Sequence, residues 1–307
     1  MQPRLLKGSN ASYFFFPNEE TTILSRNKFS VVYIAAELDS KTKVVCKQLL
    51  PALYHHHTAK LKFFIEASIK LRHPGIVKTI DLIVEENEIF LIQEFINGFT
   101  LSELIANREY YDYRYNPFFY KVIAECLNAL SFIHEEKLCL CDVKPSNIMI
   151  VNNDGDIDFN NPIIKFIDLS SLKPCFQTGA LEGGGKSFNI MYGSPEQVFG
   201  FSELVGEHSD IFSMGVILYE AIAKEPALNT SNPMFIKRFQ SVVKIDKHYR
   251  FDDELYNVIS KATTKPELIK SSKEYTADEI KILIIKSLGK RYQTALDFRN
   301  DLLSLIN

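Results

Sequence analysis

The sequence predicts an α+β protein with a small β-rich N-terminal lobe and a larger, mostly helical C-terminal lobe. Between Thr22 and Phe95, β-branched runs such as VVYIA, KVVCKQL and IFLIQEF are typical of strands. After Gly98 the pattern changes to long helical stretches, including NPFFYKVIAECLNALSFIHEE (116–136) and SDIFSMGVILYEAIAKE (209–225). We therefore expect two lobes with a ligand-binding cleft between them.

Composition excludes several classes of function. The chain has 307 residues, 46% hydrophobic content and a formal net charge of -3, so it buries a sizeable core and presents no basic field for nucleic acid or anionic lipid. The most apolar late segment, IKILIIKSL, is interrupted by Lys281 and Lys286, and we expect no membrane span. The sequence indicates no oligomeric state.

The five cysteines are an odd number without a CxxC pair, which argues against a disulfide framework. Reduced thiols and the absence of a signal peptide favour a cytoplasmic location, with secretion as an effector as the alternative. Cys139 and Cys141 are too close together for an easy disulfide, and we interpret them as packing residues in a loop.

The N-terminal strands are interrupted by one helical stretch, TAKLKFFIEASIKL (58–71), which should end before His73 and Pro74. Three adjacent histidines (55–57) precede it. They cannot all face one metal ion, so we expect them to form a polar entry to the helix.

Three short motifs occur in a fixed order: KVVCK (43–47), DVKPSN (142–147) and KFIDLSS (165–171). They resemble the strand-three motif, the catalytic loop and the metal-binding strand of eukaryotic-like (Hanks-type) Ser/Thr protein kinases. The closing stretch KRYQTALDFRNDL (290–302) resembles bacterial members. The resemblance runs from about residue 22 to the C-terminus and implies the bilobal protein kinase fold.

This resemblance implies transfer of the ATP γ-phosphate to Ser or Thr hydroxyls of a protein substrate. Lys47 would bind the α- and β-phosphates, Asp142 would act as base or orienter of the hydroxyl, and Lys144 would lie near the γ-phosphate. Asn147 and Asp168 would be ligands of Mg²⁺, with Mn²⁺ as an alternative.

The nucleotide-covering loop departs from the family pattern, because LSRNKFSVVYIA (24–35) carries no glycine at the three glycine positions. A Cβ there restricts the approach of backbone amides to phosphate, which predicts weak ATP binding or a different loop closure. The resemblance nevertheless implies that ATP contacts fall on Ser25, Asn27, Ser30, Val32, Val45, Gln93, Glu94 and Ile96.

The catalytic-loop and metal-binding motifs are also degenerate. Leu140 and Cys141 stand where the family has His and Arg, and Leu169 follows the metal-binding Asp. Since that Arg often holds a phosphorylated activation loop, its loss implies activity that does not wait for phosphorylation. Asn189 stands where a Thr contacts the catalytic Asp and Lys, and its amide could make the same bond.

The glutamate that pairs with Lys47 is ambiguous. Counting back from HPGIV without gaps puts Phe64 at that position, whereas Glu66 requires a two-residue contraction. Two residues are about 200° around a helix, so the two side chains cannot both face Lys47. We favour Glu66 as the partner, against the alternative of a solvated surface glutamate.

The remaining matches fix the domain organisation. Glu196, in GSPEQ (193–197), and Arg291 should form the buried pair of the family. We predict an N-terminal extension (1–20) and a kinase domain (21–307), divided into an N-lobe (21–96) and a C-lobe (97–307) with an insertion at 266–289. Thr276 and Glu279 predict a capping box and an added helix in the insertion, which packs on the C-lobe or recognises a partner.

Two other functions stay open on the same fold. Missing glycines suit a pseudokinase, a binding or scaffold module that controls a partner protein. A different ATP-dependent transferase, such as one that attaches AMP, is the second. The Tyr-rich segment 107–120 is interpreted as a connecting loop on the C-lobe, with a docking surface as its alternative.

Overall fold

A computed structural model describes residues 2–110, 112–153, 156–176, 188–269 and 274–306. The chain folds into two compact units. The N-terminal unit contains Met1–Arg72, Ile76–Asn97 and Asp168–Ser170. The C-terminal unit contains His73–Gly75, Gly98–Ile167 and Ser171–Asn307.

The N-terminal unit is built on a seven-stranded antiparallel sheet in the order β1-β2-β4-β5-β7-β6, with β3 also paired to β4. Its strands are β1 (Arg4–Lys7), β2 (Ser12–Phe15), β3 (Ile23–Arg26), β4 (Ser30–Glu37), β5 (Lys43–Leu49), β6 (Thr79–Glu85) and β7 (Glu88–Glu94). The strand-like pattern between Thr22 and Phe95 thus corresponds to β3–β7.

The first two strands lie ahead of the kinase-like motifs and share the core of this sheet. Leu6, Tyr13 and Phe15 are buried, and the Phe15 ring lies 4.7 Å from that of Tyr33 on β4. Arg4 forms ion pairs with carboxylates at the β6–β7 turn, the shorter of them 2.7 Å. Residues 4–15 therefore extend the sheet rather than trail from it.

Helix α1 (His57–Ser68) follows β5, and its early end agrees with the prediction that it stops before His73 and Pro74. The helix begins after His56, whose Nδ1 accepts a hydrogen bond from the Ala59 backbone N–H at 3.3 Å. The side chain of His56 thus satisfies one of the free amides at the helix N-terminus.

Short strands occupy two places in the C-terminal unit. A four-stranded sheet has the order β11-β10-β12, with β8 also paired to β10, and a two-stranded ladder joins β9 to β13. The strands are β8 (Gly98–Thr100), β9 (Leu138–Cys139), β10 (Ile148–Asn153), β11 (Asp156–Ile157), β12 (Ile164–Phe166) and β13 (Lys173–Pro174). A Cβ at Gly98 would overlap the carbonyl oxygen of Ile150, so only glycine permits this β8–β10 pairing.

Helices form most of the rest of this unit. They are α2 (Leu101–Ala106), α3 (Asn116–Glu135), α4 (Pro195–Phe199), α5 (Glu207–Ala223), α6 (Pro233–Val242), α7 (Asp253–Ala262), α8 (Ala277–Leu288) and α9 (Ala295–Leu303). The α3 and α5 segments are buried over nearly their whole length, as their continuous apolar sequences predict. The predicted fold class, a β-rich N-terminal part and a helical C-terminal part, is confirmed.

The insertion contains the predicted helix, α8, and Thr276 and Glu279 form the predicted capping box. Ile280 and Ile284, one turn apart, are buried, and Lys281 forms an ion pair with Glu203 at 2.8 Å. One face of α8 therefore packs on the C-terminal unit. Residues 270–273 of the predicted insertion lie outside the described part of the chain.

The described part of the Tyr-rich segment packs around Phe159. Tyr110, Tyr115 and Phe118 place their rings 5.9, 5.7 and 4.9 Å from the Phe159 ring. This packing is that of a connecting segment held on the C-terminal unit.

Among the helices of the described ranges, none combines the length and apolar character that crossing a bilayer requires.

The burial of β1 predicts unequal effects for two neighbouring leucines. Leu6 is fully buried, so Leu6→Ala should lower the free energy of unfolding by about 2–5 kcal/mol. Leu5 on the same strand is 48% exposed, and Leu5→Ala should change it by less than about 1 kcal/mol. Urea denaturation measures both variants; equal small effects would show that β1 contributes nothing to the N-terminal unit.

Candidate active site

Lys47 lies on β5, in the interior of the N-terminal sheet. Its neighbours in register are Val32 on β4 and Leu91 on β7. Val44 and Cys46 on the same strand are buried in the sheet core. Since successive residues of a strand point to opposite faces, Lys47 points away from the core side that Cys46 occupies. Its aliphatic stem is held by the sheet, and only 13% of its side chain is exposed.

Glu66 of α1 is the partner of Lys47 in the structure. The Lys47 Nζ lies 2.7 Å from Glu66 Oε2, and Glu66 is fully buried. The buried residues of α1 are Ala59, Phe63 and Glu66, which are spaced as one helix face requires. Phe64, the ungapped alternative, is 41% exposed and lies on the opposite side of the helix.

Two further donors surround the Glu66 carboxylate. The Gln93 side chain donates to Oε1 at 3.1 Å, and the Leu169 backbone N–H approaches the same oxygen at 3.5 Å. A buried carboxylate without such partners would cost several kcal/mol. The side chain of Gln93 is therefore hydrogen-bonded to Glu66, although the sequence predicted Gln93 as an ATP contact.

Burial and charge act in opposite directions on this pair. Burial alone would lower the pKa of Lys47, but the carboxylates of Asp168 and Glu66 outweigh it and raise that pKa above its usual value. The ammonium group is therefore charged at neutral pH. Burial raises the pKa of Glu66, and the positive charge of Lys47 opposes that effect.

Asp168 completes the charged group of the N-terminal unit. Its Oδ1 lies 3.5 Å from Lys47 Nζ and accepts a hydrogen bond from the Ser170 backbone N–H at 3.1 Å. About one third of the side chain is exposed. Lys47 therefore stands between two carboxylates, one fully buried and one open to solvent, and the open one is the predicted metal ligand.

The loop at the predicted nucleotide-covering position is closed by Asn27. Asn27 Oδ1 accepts hydrogen bonds from the backbone N–H groups of Phe29 and Ser30, at 2.8 and 2.9 Å. The Asn27 backbone N–H donates to the Ser30 carbonyl at 2.9 Å, and Ser30 is buried. The side chain of Asn27 thus occupies two of the amides that a glycine-rich loop would present to phosphate.

The other predicted nucleotide contacts are placed on the strands around Lys47. Ser25 lies on β3 opposite Val32, and Val45 lies on β5 opposite Gln93. Glu94 accepts the Lys78 backbone N–H through Oε1 at 2.8 Å, and Ile96 is half-buried just after β7. These positions are compatible with the predicted roles, which stay predictions.

The catalytic-loop residues form a second polar group, within the C-terminal unit. Lys144 donates to Asp142 Oδ2 at 2.7 Å, and the Asn189 backbone N–H donates to Asp142 Oδ1 at 2.7 Å. Asn147, on a 3-10 turn (Pro145–Asn147), donates its Nδ2 to the Asp142 carbonyl at 3.1 Å. This bond fixes the amide group of Asn147, whose oxygen is the atom that a metal would bind.

Asn189 reaches Asp142 by a different route from the one predicted. Its side-chain oxygen accepts the Met191 backbone N–H at 3.0 Å, so the side chain closes a local turn. The backbone N–H makes the contact with the carboxylate instead. The activation segment, which in this family runs from the metal-binding Asp168 to GSPEQ (193–197), therefore touches Asp142 through a group that any residue other than proline has.

Sequence reasoning missed the residue that holds the catalytic loop. Asp210, near the start of α5, is buried and accepts the backbone N–H groups of Leu140 and Cys141, at 2.8 and 2.9 Å. His134 contacts the same carboxylate at 3.0 Å. An aspartate in the first turn of an apolar helix was the available signal, but its partners are amides from a distant part of the chain.

Gln197 adds a second tie to the same loop. Its side chain donates to the Cys141 carbonyl at 2.7 Å. Cys141 has a φ of 65°, a left-handed conformation that a non-glycine residue adopts only where the surroundings enforce it. The hydrogen bonds of the Cys141 backbone with Asp210 and Gln197 hold this conformation. They therefore fix the backbone that leads into Asp142.

Glu196 and Arg291 form the predicted buried pair. Two guanidinium nitrogens contact the two carboxylate oxygens, at 2.9 and 3.2 Å, and both side chains are fully buried. Ser209 also donates to Glu196 at 2.8 Å. Burial alone would raise the pKa of Glu196, but Arg291 holds that pKa below its usual range. The pair ties α4, at the end of the activation segment, to the turn before α9.

The comparison with protein families identifies the fold. The sequence matches the family model "Protein kinase domain" over residues 19–297, which is most of the chain. The chain belongs to the protein kinase domain family, as its motifs predicted.

Three relatives place the chain within this family. It is 28% identical over 299 residues to the serine/threonine-protein kinase PknB of Mycolicibacterium smegmatis, covering 92% of this chain and 41% of that protein. The PknB of Mycobacterium tuberculosis is also 28% identical, covering 93% and 42%. A putative serine/threonine-protein kinase of Acanthamoeba polyphaga mimivirus is 24% identical over 271 residues, covering 80% and 58%. The chain spans about two fifths of the length of the mycobacterial relatives.

The hydrogen bonds of Asn27 predict that its removal helps nucleotide binding. Asn27→Gly frees the amides of Phe29 and Ser30 for phosphate, and should tighten MgATP binding about two- to tenfold. Equilibrium titration with a fluorescent ATP analogue measures the change. Asn27→Asp is the matched control: it keeps the acceptor, adds a negative charge and should weaken binding. No change or a loss with glycine would mean that this loop does not cover phosphate.

The buried pair predicts a large loss of stability when one charge is removed. Arg291→Met leaves the Glu196 carboxylate buried without its cation and should lower the free energy of unfolding by about 3–5 kcal/mol. The double variant Glu196→Gln, Arg291→Met should recover part of that loss. Lys290→Met, at the neighbouring exposed position, should shift it by less than about 0.5 kcal/mol. Chemical denaturation at neutral pH measures the free energy of unfolding of the three variants. Equal losses in Arg291→Met and in the double variant would contradict the pairing.

Proposed function

We propose that this chain is an active Ser/Thr protein kinase that transfers the γ-phosphate of MgATP to a protein hydroxyl. The observation that carries the proposal is that each charged group needed for phosphoryl transfer is retained and held by specific partners. In the N-terminal unit these are Lys47, Glu66 and Asp168. In the C-terminal unit, Asp142 is held by Lys144. The printed names of the relatives, serine/threonine-protein kinases, support the same enzyme class.

The two sets of residues divide the work of the reaction. A divalent cation, when bound, neutralises charge on the phosphates. The family implies a divalent cation, and we propose Mg²⁺, with Mn²⁺ as an alternative. The ligands would be the carboxylate of Asp168 and the amide oxygen of Asn147, and hard oxygen donors of this kind suit both ions. Lys47, kept charged by its two carboxylates, binds the α- and β-phosphates.

Asp142 acts on the substrate hydroxyl. Its two oxygens are held by the Lys144 ammonium and the Asn189 backbone N–H, which fixes the carboxylate plane. The hydroxyl oxygen forms a bond to the γ-phosphorus as the bond to the β-phosphate oxygen breaks, and Asp142 orients that hydroxyl and accepts its proton. Lys144, 2.7 Å from Asp142, is close enough to carry its positive charge to the transferred phosphoryl group.

The substrate is a protein, and Ser or Thr is the acceptor because the lysine of DVKPSN resembles Ser/Thr members of the family. Activity independent of activation-loop phosphorylation follows from Cys141, which lacks the positive charge that a phosphate would need. We also propose a cytoplasmic location, on the cysteine pattern given above.

One observation favours a second function. Because Asn27 already binds the loop amides, the loop can exist in a closed form without nucleotide, as a pseudokinase would need. In that case the domain would bind partner proteins without transferring phosphate. Transfer of AMP is the other transferase reaction available on this fold.

Label transfer distinguishes these functions. The chain is incubated with γ-labelled ATP, Mg²⁺ and generic protein substrates, and label should appear on Ser or Thr. Asp142→Asn should reduce transfer at least about 100-fold, because it removes the proton acceptor and leaves the shape. Asp158→Asn changes an exposed carboxylate that binds local groups of Asn160 and Asn161, and should leave transfer unchanged.

Lys47→Ala tests the N-terminal half of the site. It should abolish transfer while circular dichroism shows a folded protein, whereas Lys43→Ala on the same strand, at an exposed position, should remain active. If Lys47→Ala stayed active, the assignment of Lys47 on β5 to the ATP phosphates would be wrong. Label from α-labelled ATP on the product would identify AMP transfer, and a nucleotide-induced rise in melting temperature without any transfer would identify a pseudokinase.

A further inference from the structure

Three of the five cysteines meet at the short ladder that β9 and β13 form. The sulfur atoms of Cys139 and Cys141 lie 3.4 Å apart, and both residues are buried. Cys175, the residue after β13, packs against them and is partly exposed. The Cys175 backbone N–H donates to the Lys137 carbonyl at 2.9 Å, so the backbone holds this arrangement as well. The contact is a cluster of thiols from two separate segments.

The cluster lies where the catalytic loop and the activation segment run side by side. Cys139 ends β9, and Asp142 follows three residues later. Cys175 follows Asp168 by seven residues, at the start of the activation segment. The two strands pair Lys173 with Cys139, so Cys175 lies two residues beyond the position opposite Cys139, on the same face of the ladder. A covalent bond between these cysteines would join the two segments.

The three thiols differ in reactivity. The neighbouring Cys139 side chain lowers the pKa of Cys175, which favours the thiolate at the partly exposed position over the buried ones. The bonds of Cys139 to Cys141 and Cys175 raise the pKa of Cys139, which keeps its proton. Cys46 and Cys126, by contrast, are isolated in the core, where burial raises the pKa of each thiol.

We propose that Cys175 and Cys139 form a reversible thiol–disulfide modification site that a hydroperoxide oxidises. Its geometry supplies a partly exposed cysteine, buried thiols in the cluster against which it packs, and backbone that already pairs the two segments. Cys141 assists as the hydrogen-bonded neighbour of Cys139.

The oxidation proceeds in two balanced steps. The Cys175 thiolate attacks the terminal oxygen of the hydroperoxide; the S–O bond forms, the O–O bond breaks, and the leaving alkoxide or hydroxide takes up a proton. The Cys139 sulfur then attacks the sulfenic sulfur of Cys175. The S–S bond forms, and the hydroxyl leaves with the Cys139 proton as water. Two electrons pass to one peroxide per disulfide, and a dithiol reverses the change.

The test treats the full chain with an equimolar amount of hydrogen peroxide, then alkylates the remaining thiols and maps the peptides by fragmentation mass spectrometry. We expect loss of two thiols per chain, a Cys139 to Cys175 cross-link, and recovery with dithiothreitol. The cross-link should raise the melting temperature by roughly 5 °C. Because this readout is covalent, its failure is distinguishable from failure of the proposed kinase activity.

Three variants separate the proposed pair from its alternatives. Cys175→Ser should abolish the cross-link and the shift in melting temperature, and Cys126→Ser should retain both. Since Cys139 and Cys141 share a tryptic peptide, Cys141→Ser identifies the partner: the cross-link to Cys175 should still form. A Cys139 to Cys141 bond, oxidation of Cys126 as fast as Cys175, or overoxidation of Cys175 with Cys139 still reduced would each overturn the proposal.

Discussion

A fully buried carboxylate must be matched by donors, and three such carboxylates organise this protein. Glu66 orients Lys47 in the N-terminal unit. In the C-terminal unit, Asp210 holds the backbone that enters the catalytic loop, and Glu196 is paired with Arg291 at the end of the activation segment. Each costs several kcal/mol if left unpaired, so each fixes the segments that supply its donors. The groups that would do chemistry depend on these buried carboxylates for their positions.

The sequence predicted the fold class and the order of the motifs because they depend on local patterns. Alternating β-branched residues, long apolar helices and a capping box are read within one segment, and the strands and helices occur where these patterns are. The structure decides between Glu66 and Phe64 as the neighbour of Lys47 through the helix face. Glu66 lies on the buried face with Phe63 and Ala59, whereas Phe64 does not. Asp210 was missed because its partners are backbone amides, which carry no sequence signal until folding brings them to the helix.

Hydrogen bonds from side chain to backbone account for the other differences. The lost glycines at the nucleotide-covering loop were visible in the sequence, but the sequence does not show that Asn27 takes up two of the loop amides. Asn189 uses its side chain for a turn and its backbone for Asp142, the reverse of the expected division. Residues 1–20 were predicted as an extension, and the sheet contains two strands there whose buried Leu6 looks like any other apolar residue in the sequence. For Asn27 and Asn189, the competing partner is a backbone group brought close by folding.

The central claim is that the retained charged groups bind a metal-bound nucleotide. Isothermal titration calorimetry of the parent and Asp168→Asn, with ATP in the presence and absence of Mg²⁺, tests it most directly. The account predicts uptake of one ATP per chain that depends on Mg²⁺ and is weakened about tenfold or more in the variant, which keeps the side-chain shape but loses the charge of the proposed metal ligand. No uptake by the parent, or uptake that is equal with and without the metal in both proteins, would contradict it.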